Sequence, residues 1–160
     1  MMLRNRTQWT TPVIAVLALL AAVLFAVQDA RAAKSEVFTG LEKGVAVGGY
    51  DPVAYFSDGK PVKGSQSIAL EYKGATWRFS SEANRSKFES DPGKYAPQYG
   101  GYCAWAVSRG YTAKGDPRAW TVVDGKLYLN YNLDVRSTWE KNIPGNIAAA
   151  NSNWPKVLKK

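Results

Sequence analysis

Along SIALEYKGATWRFSS, residues 67–81, apolar side chains recur at every second position on both sides of Lys73–Gly74: Ile68, Leu70 and Tyr72 going in, Trp77 and Phe79 coming back. A period of two broken by a turn dipeptide predicts a β-hairpin. The pattern returns in AWTVVDGKLYLNYN, residues 119–132, where Val122–Val123 and Leu127–Tyr128–Leu129 flank Asp124–Gly125, a pair favoured in tight primed turns. Between the hairpins, Ser80 or Ser81 with Glu82 just beyond opens a helix over Ser81 to Ser90. Phe88 is its core-facing residue and Asp91–Pro92–Gly93 its stop. A shorter helix is predicted from Tyr102 to Ser108. Val135, Trp139, Ile143 and Ile147 fall at helical spacing near the end, predicting one or two helices there. Gly48–Gly49, Asp51–Pro52 and Asp58–Gly59 mark turns around the apolar VAYF segment. Hairpins followed by helices predict an α+β fold, a small single domain in which two hairpins form an antiparallel sheet with packed helices. No internal repeat is visible along the chain.

The first 32 residues follow another pattern. Arg4 and Arg6 precede an uncharged apolar run, Val13 to Val27, and small residues surround Ala30 to Ala32. This is the layout of a secretory signal, with cleavage expected after Ala32 or Ala33. The apolar run is short of the roughly 20 residues that span a bilayer, so no stable membrane span is expected after cleavage. Residues 33–44 show little periodicity and read as a lead-in, with the domain occupying residues 45–160. The implied location is periplasmic or secreted.

Composition then narrows the chemistry. Removing residues 1–32 leaves 18 basic and 12 acidic side chains, a net +6, scattered without a basic run beyond the terminal Lys-Lys. An exported protein with dispersed charge is not expected to bind nucleic acid. Both methionines leave with the signal and the chain has no histidine, so the mature domain carries one sulfur atom, on Cys103, and no imidazole. That excludes Ser–His–Asp and Cys–His nucleophiles, histidine-based zinc hydrolase sites and blue copper within one chain. No clustered carboxylate pair stands out for acid–base work, so an enzyme is not expected.

The motifs GGYDPVAYF, GATWRFSSEANRSKFESDPGKYAPQYGGYCAWAV and AWTVVDGKLYLNYN together resemble the secreted bacterial YHS-domain proteins, over roughly residues 44–158. The resemblance implies a YHS-like fold for residues 45–160 and raises transition-metal binding, because the wider family is suspected of holding metals through cysteines. Its pattern runs Asp-Pro-Val-Cys, then Phe-Cys-Ser-x-x-Cys or His, then Phe, Pro and Tyr. Here Asp51, Pro52, Val53, Phe79, Ser81, Phe88, Pro92 and Tyr95 match, while the ligand positions are Ala54, Ser80 and Asn84. None of these three offers a soft donor comparable to thiolate.

Cys103 and Asp51 remain as candidate metal residues. Cys103 stands in QYGGYCAWAV, where Gly100–Gly101 would allow close approach and Arg109 would lower the thiol pKa if it folded back. It could equally be a small buried hydrophobe, or join two chains in a homodimer. As a ligand it would need carboxylate, phenol or backbone partners, such as Asp51 or Tyr50, or a second chain. Asp51 before Pro52 is equally a turn former. The aromatic residues could line a pocket or fill the core. The expectation is an exported binding or accessory protein of the YHS type that takes a small ligand or metal ion, copper or another soft transition metal. The alternative is a structural or protein-interaction domain whose YHS scaffold has lost its metal site.

Overall fold

The computed structural model describes residues 33–159, and residues 1–32, where the sequence predicts a secretory signal, lie outside the described residues. A 3₁₀ turn at Ala46–Gly49 leads into α1 (Ala54–Ser57) and then the first hairpin, β1 (Ser65–Tyr72) with β2 (Ala75–Phe79). Helices α2 (Glu82–Ser90) and α3 (Pro92–Tyr95) follow. A second 3₁₀ turn at Gln98–Gly101, α4 (Ala104–Ser108) and the second hairpin, β3 (Asp116–Val123) with β4 (Lys126–Asn130), come next. Helices α5 (Leu133–Glu140) and α6 (Ile143–Asn153) and a 3₁₀ turn at Lys156–Lys159 close the chain. No helix among the described residues is long and apolar enough to cross a membrane.

Both predicted hairpins are present, and both turn on two residues at positive φ, Lys73–Gly74 and Asp124–Gly125. Such turns match the right-handed twist of the flanking strands. They do not merge into one sheet: each is a separate two-stranded unit. In each, the register slips within the long first strand, between Ser65 and Ala69 and between Asp116 and Trp120. A slip of this kind bends the strand and interrupts the ladder a neighbour would need. A single parallel bridge extends each hairpin instead, Val45 to Thr76 in the first and Cys103 to Leu129 in the second.

These two bridges fall at non-equivalent positions, but the hairpins and their slips correspond, and the correspondence continues element by element to reveal a repeat that the sequence conceals. Val47-Gly48-Gly49-Tyr50 and Tyr99-Gly100-Gly101-Tyr102 both carry left-handed backbone at their first three residues. In each, the tyrosine bridges a lysine ahead of the hairpin: Tyr50 to Lys63, Tyr102 to Lys114. The next residue's N–H donates to the main chain of the same loop, Asp51 to Val62 and Cys103 to Ala113. Ser81 caps α2 and Asn132 caps α5, each accepting from the N–H three residues on. An arginine of each of these helices donates back to the strand at the register slip, Arg85 to the Ala69 carbonyl and Arg136 to that of Trp120. Asp91 and Asn142 then cap α3 and α6 alike. The chain from Val45 to Asn146 is therefore one supersecondary unit built twice.

The two halves meet at β4. Leu127 and Leu129 pack with Val53, Tyr55, Trp77, Phe79 and Phe88 in one core, while Tyr128 between them packs with Tyr99, Tyr102, Val107 and Trp139 in the other. Alternate residues of one strand thus enter opposite cores, as the pleat requires. The lead-in is fastened to this body. Val37 is buried in the first core, the Phe38 N–H donates to the Gly100 carbonyl, and the Tyr102 hydroxyl donates to the Ser35 carbonyl.

Candidate functional site

Asp51 sits immediately after the first left-handed turn and is fully buried. Its Oδ1 accepts from the N–H of Val53 at 2.8 Å and of Ala54 at 3.4 Å, so the predicted Asp-Pro turn forms around its own carboxylate. Its Oδ2 reaches the corner between β2 and α2, accepting from the Ser80 N–H at 2.8 Å, the Ser80 hydroxyl at 2.6 Å and the Asn84 side-chain amide at 2.8 Å. Ser81 fixes that corner by capping α2 through the Asn84 N–H, which sets Asn84 one turn into the helix and facing inward.

The three positions that the sequence resemblance marks for ligands, Ala54, Ser80 and Asn84, are thus gathered in space, and what they surround is Asp51. A carboxylate offers about four lone-pair sites, and five donors address this one. Nothing is left over for a metal ion unless the network is dismantled. Ala54 contributes only backbone, and Ser80 and Asn84 are neutral groups already donating to the carboxylate. These residues do not fit a soft metal centre. The turn reading of Asp51 is the one the geometry supports, extended by a tie between two elements that the sequence did not suggest.

Cys103 is not part of this cluster. The repeat places it in the second half at the position Asp51 holds in the first. The correspondence reaches the surroundings: the backbone N–H groups that act to lower the Cys103 thiol belong to Ala106, Tyr131 and Trp105, the counterparts of Ala54, Ser80 and Val53. Sγ lies 3.9 Å from Oδ1 of Asn130, which also accepts from the Trp105 N–H at 3.2 Å. Cys103 is 1% exposed, and burial pushes its thiol up from the ordinary value, a shift the facing N–H groups only partly offset. Arg109 does not fold back toward it: the guanidinium stacks over the Trp105 ring at 4.0 Å. The expected depression of the thiol pKa by Arg109 is therefore corrected to a rise caused by burial.

Cys103 and Asp51 share no hydrogen-bond partner, and no group of three or more His, Cys, Asp or Glu that could hold a metal ion occurs among the described residues. Tyr50, the other suggested co-ligand, lies under the Lys63 ammonium, 4.2 Å from ring centre to Nζ. Most of the aromatic wealth goes into packing, with Trp77, Phe79 and Phe88 in mutual contact in the first core and Tyr128 against Trp139 in the second.

A YHS domain is found at residues 53–99. It takes in most of the first repeat and ends at Tyr99, where the turn that opens the second begins. Neither the curated proteins nor the solved structures provide a match to the chain.

Proposed function

We propose that this is an exported, non-enzymatic binding or accessory protein of the YHS type, in which the positions where metal-handling YHS domains would carry thiols instead surround and hold a buried carboxylate. The observation that carries this reading is the Asp51 network, in which every family ligand position is spent on holding one buried side chain. Cys103 supports it too. A thiol pushed up by burial, with no second soft donor grouped beside it among the described residues, is a small packing residue before it is a ligand. Export rests on the sequence layout of residues 1–32.

One preparation tests both parts. Protein taken from the periplasmic fraction is expected to begin at Ala33 or Lys34 by mass spectrometry and to carry no stoichiometric copper, zinc or iron by elemental analysis. Titrated with copper(I), it should show the same weak uptake as its Cys103→Ser variant. An intact Met1 terminus would remove export from the reading. One tightly held equivalent of copper, lost in Cys103→Ser, would replace it with a metal-binding function.

A further inference from the structure

The duplication has brought two corresponding lysines to one place. Lys63 and Lys114 each stand on the segment entering a hairpin, each held by a bridge to its repeat's tyrosine, and both line an open groove of about 350 Å³. One wall comes from the first repeat, with Gly48 and Tyr50. The other comes from the second, with Pro117 and Arg118, and the lead-in closes one end with Leu41 and Glu42. A junction between two structural units is where small-molecule sites recur, and the volume lies at the lower end of their range.

The charges in this groove are not balanced. Glu42 is taken by Arg78, which donates to both of its oxygens at 3.0 and 2.6 Å. Asp116 is taken by Arg118, which donates at 3.2 and 3.0 Å. Burial alone would raise the Asp116 carboxyl, but these bonds and the nearby charge of Lys114 outweigh it and hold the group below its ordinary value. Both carboxylates are thus neutralised by their own arginines. Among the described residues neither Lys63 nor Lys114 forms an ion pair. Lys63 is positioned all the same: its ammonium donates to the Gly48 carbonyl at 2.7 Å and lies over the Tyr50 ring. Lys114 is placed over the Tyr131 ring at 4.9 Å. Each ammonium keeps donors to spare, because a lysine has three and neither a ring face nor one carbonyl uses them up.

We propose that this groove binds a small organic or inorganic dianion, a polycarboxylate or a phosphoryl group, held between Lys63 and Lys114 with Tyr50 beneath it. Two pre-placed ammonium groups lining one groove, neither in an ion pair and with the neighbouring carboxylates held by arginines, suit two negative charges on one ligand better than a single one. The site deepens the reading of the protein as a binding module by naming a ligand class, and it makes no use of Cys103 or of metal.

Calorimetric titration of metal-free mature protein with citrate, inorganic phosphate and acetate at low ionic strength tests it. Citrate or phosphate should bind at one equivalent, with acetate weaker by about tenfold or more. Lys63→Gln with Lys114→Gln should weaken the dianion by about tenfold or more at unchanged thermal midpoint. Lys126→Gln with Lys156→Gln, both at exposed positions elsewhere, should leave it unchanged. Should the first pair disturb folding, Lys114→Glu alone leaves the Lys63 bond to Gly48 in place and must still abolish binding. Saturable binding of neither citrate nor phosphate, or equal losses in the two pairs of variants, would overturn the proposal. The copper titration reads Cys103 and this one reads the lysines, so either reading can fail while the other stands.

Discussion

Replacing Asp51 by Asn removes one oxygen and the charge while keeping the shape, and the structure says what that should cost. If the amide retains its oxygen toward Val53 and Ala54, its nitrogen faces the Ser80 N–H and the Asn84 amide, two donors left pointing at a donor. Turning the amide over only transfers the fault to the N–H groups of Val53 and Ala54. A buried donor without a partner costs about 1–3 kcal/mol, so two give roughly 2–6 kcal/mol for Asp51→Asn. Asp51→Ala, which strands the donors on both sides, should lose more and approach the whole stability of a domain this size, about 5–15 kcal/mol. Ser80→Ala gives up one bond and leaves the carboxylate with four donors, for about 1 kcal/mol. Urea unfolding followed by tryptophan fluorescence measures all three, with an unchanged m-value showing that the states compared are the same. An Asp51→Asn protein within about 1 kcal/mol of the parent would refute the reasoning. Higher stability would be worse for it, since a carboxylate whose neutralisation stabilises the fold is one kept for a ligand.

Two further outcomes follow from backbone and burial. Gly100→Ala should prevent stable folding, because a Cβ there, at φ +61, would run into the Glu36 carbonyl, whereas Gly125→Ala, at φ +70 with open space around it, should cost only about 1 kcal/mol in thermal or urea unfolding. Stability should also fall with alkali: burial raises the phenols of Tyr55, Tyr99, Tyr102 and Tyr128 and the Cys103 thiol. The folded state keeps these groups protonated after the unfolded chain ionises, so their contribution is complete below the ordinary values of 9.0 for the thiol and 10.0 for the phenols. Above them each costs about 1.4 kcal/mol per pH unit. Urea midpoints that stay level from pH 8 to about 11 would contradict this burial.

What the sequence disclosed is what local chemistry dictates. A period of two around Lys73–Gly74 and Asp124–Gly125 is enough to fold a hairpin, and Ser81 before Glu82 is enough to start a helix, so those elements stand where the pattern put them. The lead-in was opaque for the opposite reason. Val37 in one core, Phe38 against the other, the ion pairs of Glu36 with Lys73 and Glu42 with Arg78, and a few main-chain bonds hold it, and none of these leaves a periodic trace. Asp51 read correctly as a turn former because its bonds to Val53 and Ala54 are local, while its bonds to Ser80 and Asn84 span a distance no spacing rule covers.

The repeat was hidden because a fold can be copied on very few residues. The two halves agree in sequence at Gly-Gly-Tyr, at a Lys-Gly ahead of the hairpin, at a Gly in its turn and at the arginine that ties the helix to the slip, and the glycines stand where the backbone needs positive φ or close approach. Wherever the demand is only for volume or for a cap, the residues have parted: Phe88 against Trp139, Ser81 against Asn132, Asp91 against Asn142. The slot that faces three backbone N–H groups has parted furthest, filled by Asp51 in one half and by Cys103 in the other. In the first half the carboxylate uses those N–H groups and two side-chain donors besides. In the second, Phe79 is exchanged for Asn130, whose Oδ1 takes the Trp105 N–H that a carboxylate would have taken, and the thiol needs no charge to be balanced. Cys103 is thus accounted for by position: it is what the slot holds when a neighbouring amide has assumed part of the carboxylate's work, the Trp105 N–H going to Asn130 and the buried thiol needing no counter-charge.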